Sequence, residues 1–190
     1  MVIDPTTARR FIKHYQDFLA SIADPQECHG VTVGQALVSA RKRYVADRTL
    51  FAQWRAKNSE RDADILNAIE HIEIGRWIYL KDTRSYSVLL KADVEADAAY
   101  AVQGLTDRLR DITGYSGMFI ETGVFPLGNR YVCDGLIASV ATLGGNYMAS
   151  FRDEYQTLRQ TGRFHQVPLS SLDKVNKTLA KSAAAPSATL

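Results

Sequence analysis

Apolar residues recur three and four positions apart near the start of the chain. Phe11, Ile12, Tyr15, Phe18, Leu19 and Ile22 line one face, which predicts an amphipathic helix. Asp4-Pro5 supplies a start signal and Asp24-Pro25 an end. A second, longer helix is expected from Thr32, with Val33, Leu37, Ala40, Tyr44, Phe51 and Trp54 on its stripe. The stripe is interrupted at Asp47 or Arg48. A third helix is expected from Ser59, with Asp62 as a short-armed capping box partner and Ile65, Leu66, Ile69 and Ile72 facing inward.

The pattern changes at Gly75. Residues 76–80 and 85–90 read as two strands of a hairpin, and 98–105 as a third strand. A short helix over 107–113 is expected after Thr106 as cap, closed by Gly114. Residues 118–125 give a fourth strand, Pro126 to Asn129 a turn, and 130–133 with 136–142 one bent strand or two short ones. After Gly144-Gly145, Asn146 can cap a last helix carrying Met148, Phe151, Tyr155 and Leu158 on one face.

Helices followed by strands, without alternating βα units, imply an α+β fold. A helical layer of three helices packs on an antiparallel sheet of four to six strands, with a C-terminal helix and a disordered tail. The 190 residues divide into one domain over 1–162, helical over 1–74 and sheet with a closing helix over 75–162, and a flexible basic tail over 163–190. The sequence is 46% hydrophobic, which excludes disorder across the whole chain.

Charge adds a division that the net value of +2 conceals. Residues 1–57 carry +4, residues 58–162 carry −5 and residues 163–190 carry +3. Two cysteines, Cys28 and Cys133, are too few for a disulfide framework and suit a reducing compartment. No signal peptide or membrane-spanning run is read, so a cytoplasmic, bacterial-type protein is the expectation.

Candidate chemistry is sparse. Gly144-Gly145-Asn146 lacks the spacing of a nucleotide-binding loop, and no Gly-x-Ser-x-Gly elbow occurs. Among the cysteines and histidines only Cys28 and His29 are close, and adjacent side chains diverge, so neither metal nor cofactor is expected. Arg9 and His14 do not share one narrow helix face. Cys133 is a nucleophile candidate whose neighbour Asp134 opposes thiolate formation. Glu121 and Asp134 flank the 126–129 turn and form a candidate acid and base pair. Against this, alternation sends Glu121 to a solvated face, and Asp134-Gly135 is also a turn dipeptide.

The second helix carries a basic face of Arg41, Lys42, Arg43, Arg48, Arg55 and Lys57, a candidate phosphate-contacting surface that Lys174, Lys177 and Lys181 could assist. Trp54 could stack a base if exposed. The competing reading pairs these cations with the chain's own acids. Tyr79, Tyr86, Tyr100, Phe119, Phe125 and Tyr131 suggest an aromatic sheet rim, and an exposed apolar patch usually marks a partner. The leading expectation is therefore a protein-interaction or self-associating module. Nucleic-acid binding is the alternative, and a hydrolase-like enzyme using Glu121 and Asp134 the third.

Overall fold

The computed structural model describes residues 1–27, 29–92 and 97–168. Asp4 opens the first helix, α1 (Pro5–Ile22), accepting the Thr7 backbone N–H at 2.8 Å. Thr32 and Gln35 form a capping box at the start of α2 (Val33–Ala46). The helix expected to continue through Trp54 instead ends at Asp47. Its carboxylate accepts the Thr49 N–H and hydroxyl, and a separate helix α3 (Thr49–Ala56) follows. The interrupted stripe is thus a boundary. The next helix, α4 (Ala63–Glu70), is capped by Asp62, which accepts from Asp64 and Ile65; Ser59 does not cap it.

Seven strands and two further helices complete the described residues. They are β1 (Glu73–Asp82), β2 (Ser87–Lys91), β3 (Ala99–Gln103), α5 (Leu109–Thr113), β4 (Met118–Leu127), β5 (Arg130–Cys133), β6 (Ala138–Thr142), α6 (Gly145–Gln160) and β7 (Phe164–His165). Neither Thr106 nor Asn146 caps a helix; α5 and α6 begin after Arg108 and Gly144, without side-chain caps. The fold is α+β, and most strand pairs are antiparallel.

The sheet closes on itself. β1 runs against β4 from Glu73–Val124 to Tyr79–Met118, and against β2 from Trp77–Lys91 to Asp82–Ser87. β2 pairs β3, β3 pairs β5 in parallel through Val102–Tyr131 and Gln103–Val132, and β5 pairs β4. These five pairings form a small barrel. β6 pairs the stretch of β4 over 118–121 on the same edge that β5 takes over 124–127, and β7, within the segment expected to be tail, pairs β3 in parallel. The β6 register moves from Ile120–Ser139 to Phe119–Ala141, leaving Val140 as an extra residue, and among the described residues no strand pairs the other side of β6.

Closure gives each strand two apolar faces. Trp77, Tyr79, Leu89, Val102, Met118, Ile120, Val124 and Cys133 fill the interior, together with Leu109 from α5. On the outer face, Ile78, Leu80, Val88 and Leu90 lie under Met148, Tyr155 and Leu158 of α6. Phe125 and Val132 face the N-terminal helices, where Phe11 stacks on Phe125 with ring centroids 4.0 Å apart.

Gly123 lies where Ile72 and Asp134 pack against β4. Its carbonyl accepts the Asp134 N–H at 2.9 Å, and a Cβ there would stand 2.6 Å from both Asp134 Oδ2 and Ile72 Cδ1. Gly123→Ala should therefore destabilise the protein by about 1–3 kcal/mol, the usual range for overpacking. Gly34→Ala, which meets nothing within 4 Å on α2, should stabilise it by about 0.5 kcal/mol. Urea denaturation of both variants measures the contrast.

Candidate functional site

Where the helical layer meets the barrel, a cation and two carboxylates converge. Arg41 of α2 is fully buried, and its Nη1 donates to Asp134 Oδ2 at 2.9 Å and to the Leu136 carbonyl at 2.6 Å. Glu121 Oε1 lies 3.8 Å from Arg41 Nη2. Asp134, just past β5, also accepts from the Thr122 hydroxyl at 2.9 Å and the Leu136 N–H at 3.0 Å. Glu121 and Asp134 thus flank one guanidinium.

Burial pushes the Asp134 carboxyl above its usual range, against the pull of Arg41 and the hydrogen bonds from Arg41, Thr122 and the backbone. The Asp134 side chain is shut from solvent while Glu121 is partly open. Tyr15 Oη, Arg41 Nε and Arg41 Nη2 are buried without a hydrogen-bond partner. A reactant needs a route to both carboxylates, and although Asp134 is among the residues lining a pocket of about 180 Å³ beside Leu105 and Leu136, its side chain has no exposure to solvent. What this arrangement does chemically is neutralise charge and fix α2 against the barrel.

Cys133 points into the barrel, within 3.1 Å of the Thr122 hydroxyl. Burial first, then the Asp134 charge, pushes its thiol up to about 12, so it carries little thiolate at neutral pH. Among the described residues, no three His, Cys, Asp or Glu side chains gather as a metal site; Cys28 lies outside them. No helix among them is long and apolar enough to cross a membrane.

The basic residues around α2 and α3 are largely turned to internal partners. Besides Arg41, Arg43 pairs Asp24 at 3.0 Å, Arg55 pairs Glu70 and bonds Asn67, and Arg48 donates to the Ile72 carbonyl while covering the Tyr44 ring. Lys42 and Lys57 are exposed. Trp54 packs on Phe18 and Phe51 beneath Arg61, so its faces are occupied. Lys174, Lys177 and Lys181 lie outside the described residues.

The aromatic rim is also absorbed. Tyr79 is inside the barrel, Phe125 is under α1, and Tyr86, Tyr100, Phe119 and Tyr131 are half-buried. Among the described residues, exposed large apolar side chains are Val2, Val31, Val33 and Val45 in the N-terminal part, and Ile112, Tyr115, Val140 and Tyr147 between α5 and the start of α6. Ile112 is 45% exposed, Tyr115 47%, Val140 50% and Tyr147 67%. The Tyr115 hydroxyl lies 2.8 Å from that of Thr142 at the end of β6, and Tyr147 occupies the first turn of α6.

Sequence and surface agree here. Residues 135–151 contain no Asp, Glu, Lys, Arg or His, the longest such run in the chain. Patterning alone placed some of this run in a strand but could not indicate that both faces of that strand stay open. Residues 139–142 are exposed throughout.

A groove of about 840 Å³ runs between α1, α4 and the β4–β5 turn. Its polar lining is mostly spent: Asp4 caps α1, Arg10 pairs Asp62 at 3.1 Å, His71 bonds the Asn67 carbonyl and Arg130 bonds Gln103.

Comparison with protein-family models, with curated proteins and with solved structures finds no match to this chain.

Two outcomes follow from the buried cluster. Arg41→Met leaves Asp134 buried without its cation, so stability should fall by about 3–5 kcal/mol at neutral pH. Losing Arg41 raises the Asp134 pKa further in the folded state than in the unfolded one. The folded form is then favoured while the carboxyl is protonated, and stability is lost as pH rises through the raised folded pKa. Denaturation at about pH 5 and about pH 8 should show the smaller deficit at the acidic value. In a Cys28→Ser background, Cys133 should resist a disulfide-exchange reagent at about pH 8 when native and react fully in guanidinium. Rapid native reaction would mean an accessible thiol.

Proposed function

We propose that this chain is a protein-interaction module that receives its partner on the strip formed by β6 and the start of α6. The observation that carries the reading is that exposed Val140 and Tyr147 lie within the charge-free run over 135–151. Charged residues keep most of a surface in water, and their absence here leaves a face better suited to burial. Tyrosines favour such a role, because each offers a large apolar ring and a hydroxyl at small entropic cost.

Nucleic-acid binding has less support. Small five-stranded Greek-key barrels that take oligonucleotides use the outer face of strands two and three. In this chain α6 packs on the outer face of β1 and β2, and β7 lines the β3 edge. Four of the six cations of the basic face are also engaged by groups of the chain itself.

Selection from a random peptide library on the immobilised protein tests the interaction reading. Uncharged peptides rich in β-branched and aromatic residues should be enriched, and their binding should fall about 10-fold or more in Val140→Lys/Tyr147→Lys, as for loss of interface anchors. Selection that enriches nothing, or binding indifferent to these substitutions, overturns the reading.

A further inference from the structure

We infer that the seam between the helical layer and the barrel binds one internal water molecule, held by the free edge of the Arg41 guanidinium, the Tyr15 hydroxyl and the Glu121 carboxylate. Arg41 Nη1 directs its hydrogens at Asp134 Oδ2 and the Leu136 carbonyl. The Nε–H and the inner Nη2–H lie side by side on another edge of the planar group, as a fork that can grip one oxygen. Among the described residues neither nitrogen finds an acceptor and the Tyr15 hydroxyl finds no partner, although all three atoms are shut from solvent. Bare donors at that depth are costly, and folded chains commonly satisfy them with an ordered water.

Three elements bring these groups together. Tyr15 lies one turn beyond Phe11 on α1, in contact with it, and Phe11 stacks on Phe125, two positions along β4 from Gly123. The Tyr15 hydroxyl feels the charges of both Arg41 and Asp134. Alternation along β4 turns Glu121 to the same side as Gly123 and Phe125, and its Oε1 stands 3.8 Å from Arg41 Nη2. That separation is too long for a direct hydrogen bond and suits two groups bridged by one oxygen.

Charge selects water over an ion. Arg41 already faces two carboxylates, so an added anion would meet net negative charge, while an added cation would meet N–H and O–H hydrogens. Water is neutral and matches every group present. Its two lone pairs accept the Nε–H and the Nη2–H, and its two hydrogens go to Glu121 Oε1 and Tyr15 Oη. Glu121 is the partly open member, with 29% of its side chain exposed, so exchange with solvent runs along it.

Magnetic resonance of the full nitrogen-15-labelled chain tests this. The Arg41 Hε signal should show an Overhauser contact to water of the sign given by a molecule held in place. The contact should persist in Tyr15→Phe, which has no hydroxyl proton to relay exchange with solvent. Urea unfolding adds a reading in which the two possibilities differ in sign. A hydroxyl bonded to the water contributes stability, so Tyr15→Phe should lower the unfolding midpoint by about 0.3–0.5 M. A hydroxyl buried bare would leave the midpoint unchanged or raise it, because its removal relieves a desolvation penalty. An Arg41 Hε signal without water contact, or a Tyr15→Phe midpoint at or above the wild-type value, overturns the inference.

Discussion

The contact between Arg41 and Asp134 ties together two regions of the molecule that sequence separates by 93 positions. Arg41 arrives from the helical layer and Asp134 from the end of a barrel strand. Each is buried, so each depends on the other to make its charge tolerable. A buried ion pair of this kind adds little net stability over a well-packed apolar pair, yet it strongly disfavours any packing that separates the partners. Greasy surfaces such as those of Phe11 and Phe125 can slide; the guanidinium has one place to go. Gly123 supports it, since only a residue without a Cβ leaves room for the carboxylate beside Ile72.

Around that tether, the barrel accounts for where the large side chains went. A closed ring of five strands has an inside that must be filled and an outside that must be covered. Leu109 fills one end, α6 covers one outer flank, and the N-terminal helices cover another. Aromatics that looked like a rim in the linear pattern are consumed by these needs. What is left unclad is the short flank around β6.

Much of the fold was legible in the sequence. The face of α1, the caps at Asp4 and Thr32, and the position of most strands follow from periodicity and local hydrogen bonding, which act over a few residues. Ring closure was not legible, because the pairing of β1 with β4 joins segments whose alternation fits an open sheet equally well. Nor was the burial of Arg41. On a helical wheel it stands beside Leu37 and Tyr44 at the edge of the apolar stripe, but the partners that let its charge be buried, the Asp134 carboxylate and the Leu136 carbonyl, lie far along the chain. Glu121 and Asp134 do approach a common point, as their flanking of the turn suggested, but that point is a guanidinium.

The extra residue at Val140 has a consequence for material behaviour. An open, uncharged strand edge is a template on which further strands can add without limit, the route by which folded proteins become fibrils. By breaking the spacing of that edge, the bulge removes the template while leaving the side chains available. The side chains of β6 stay exposed while the regular ladder on which further strands could add is interrupted.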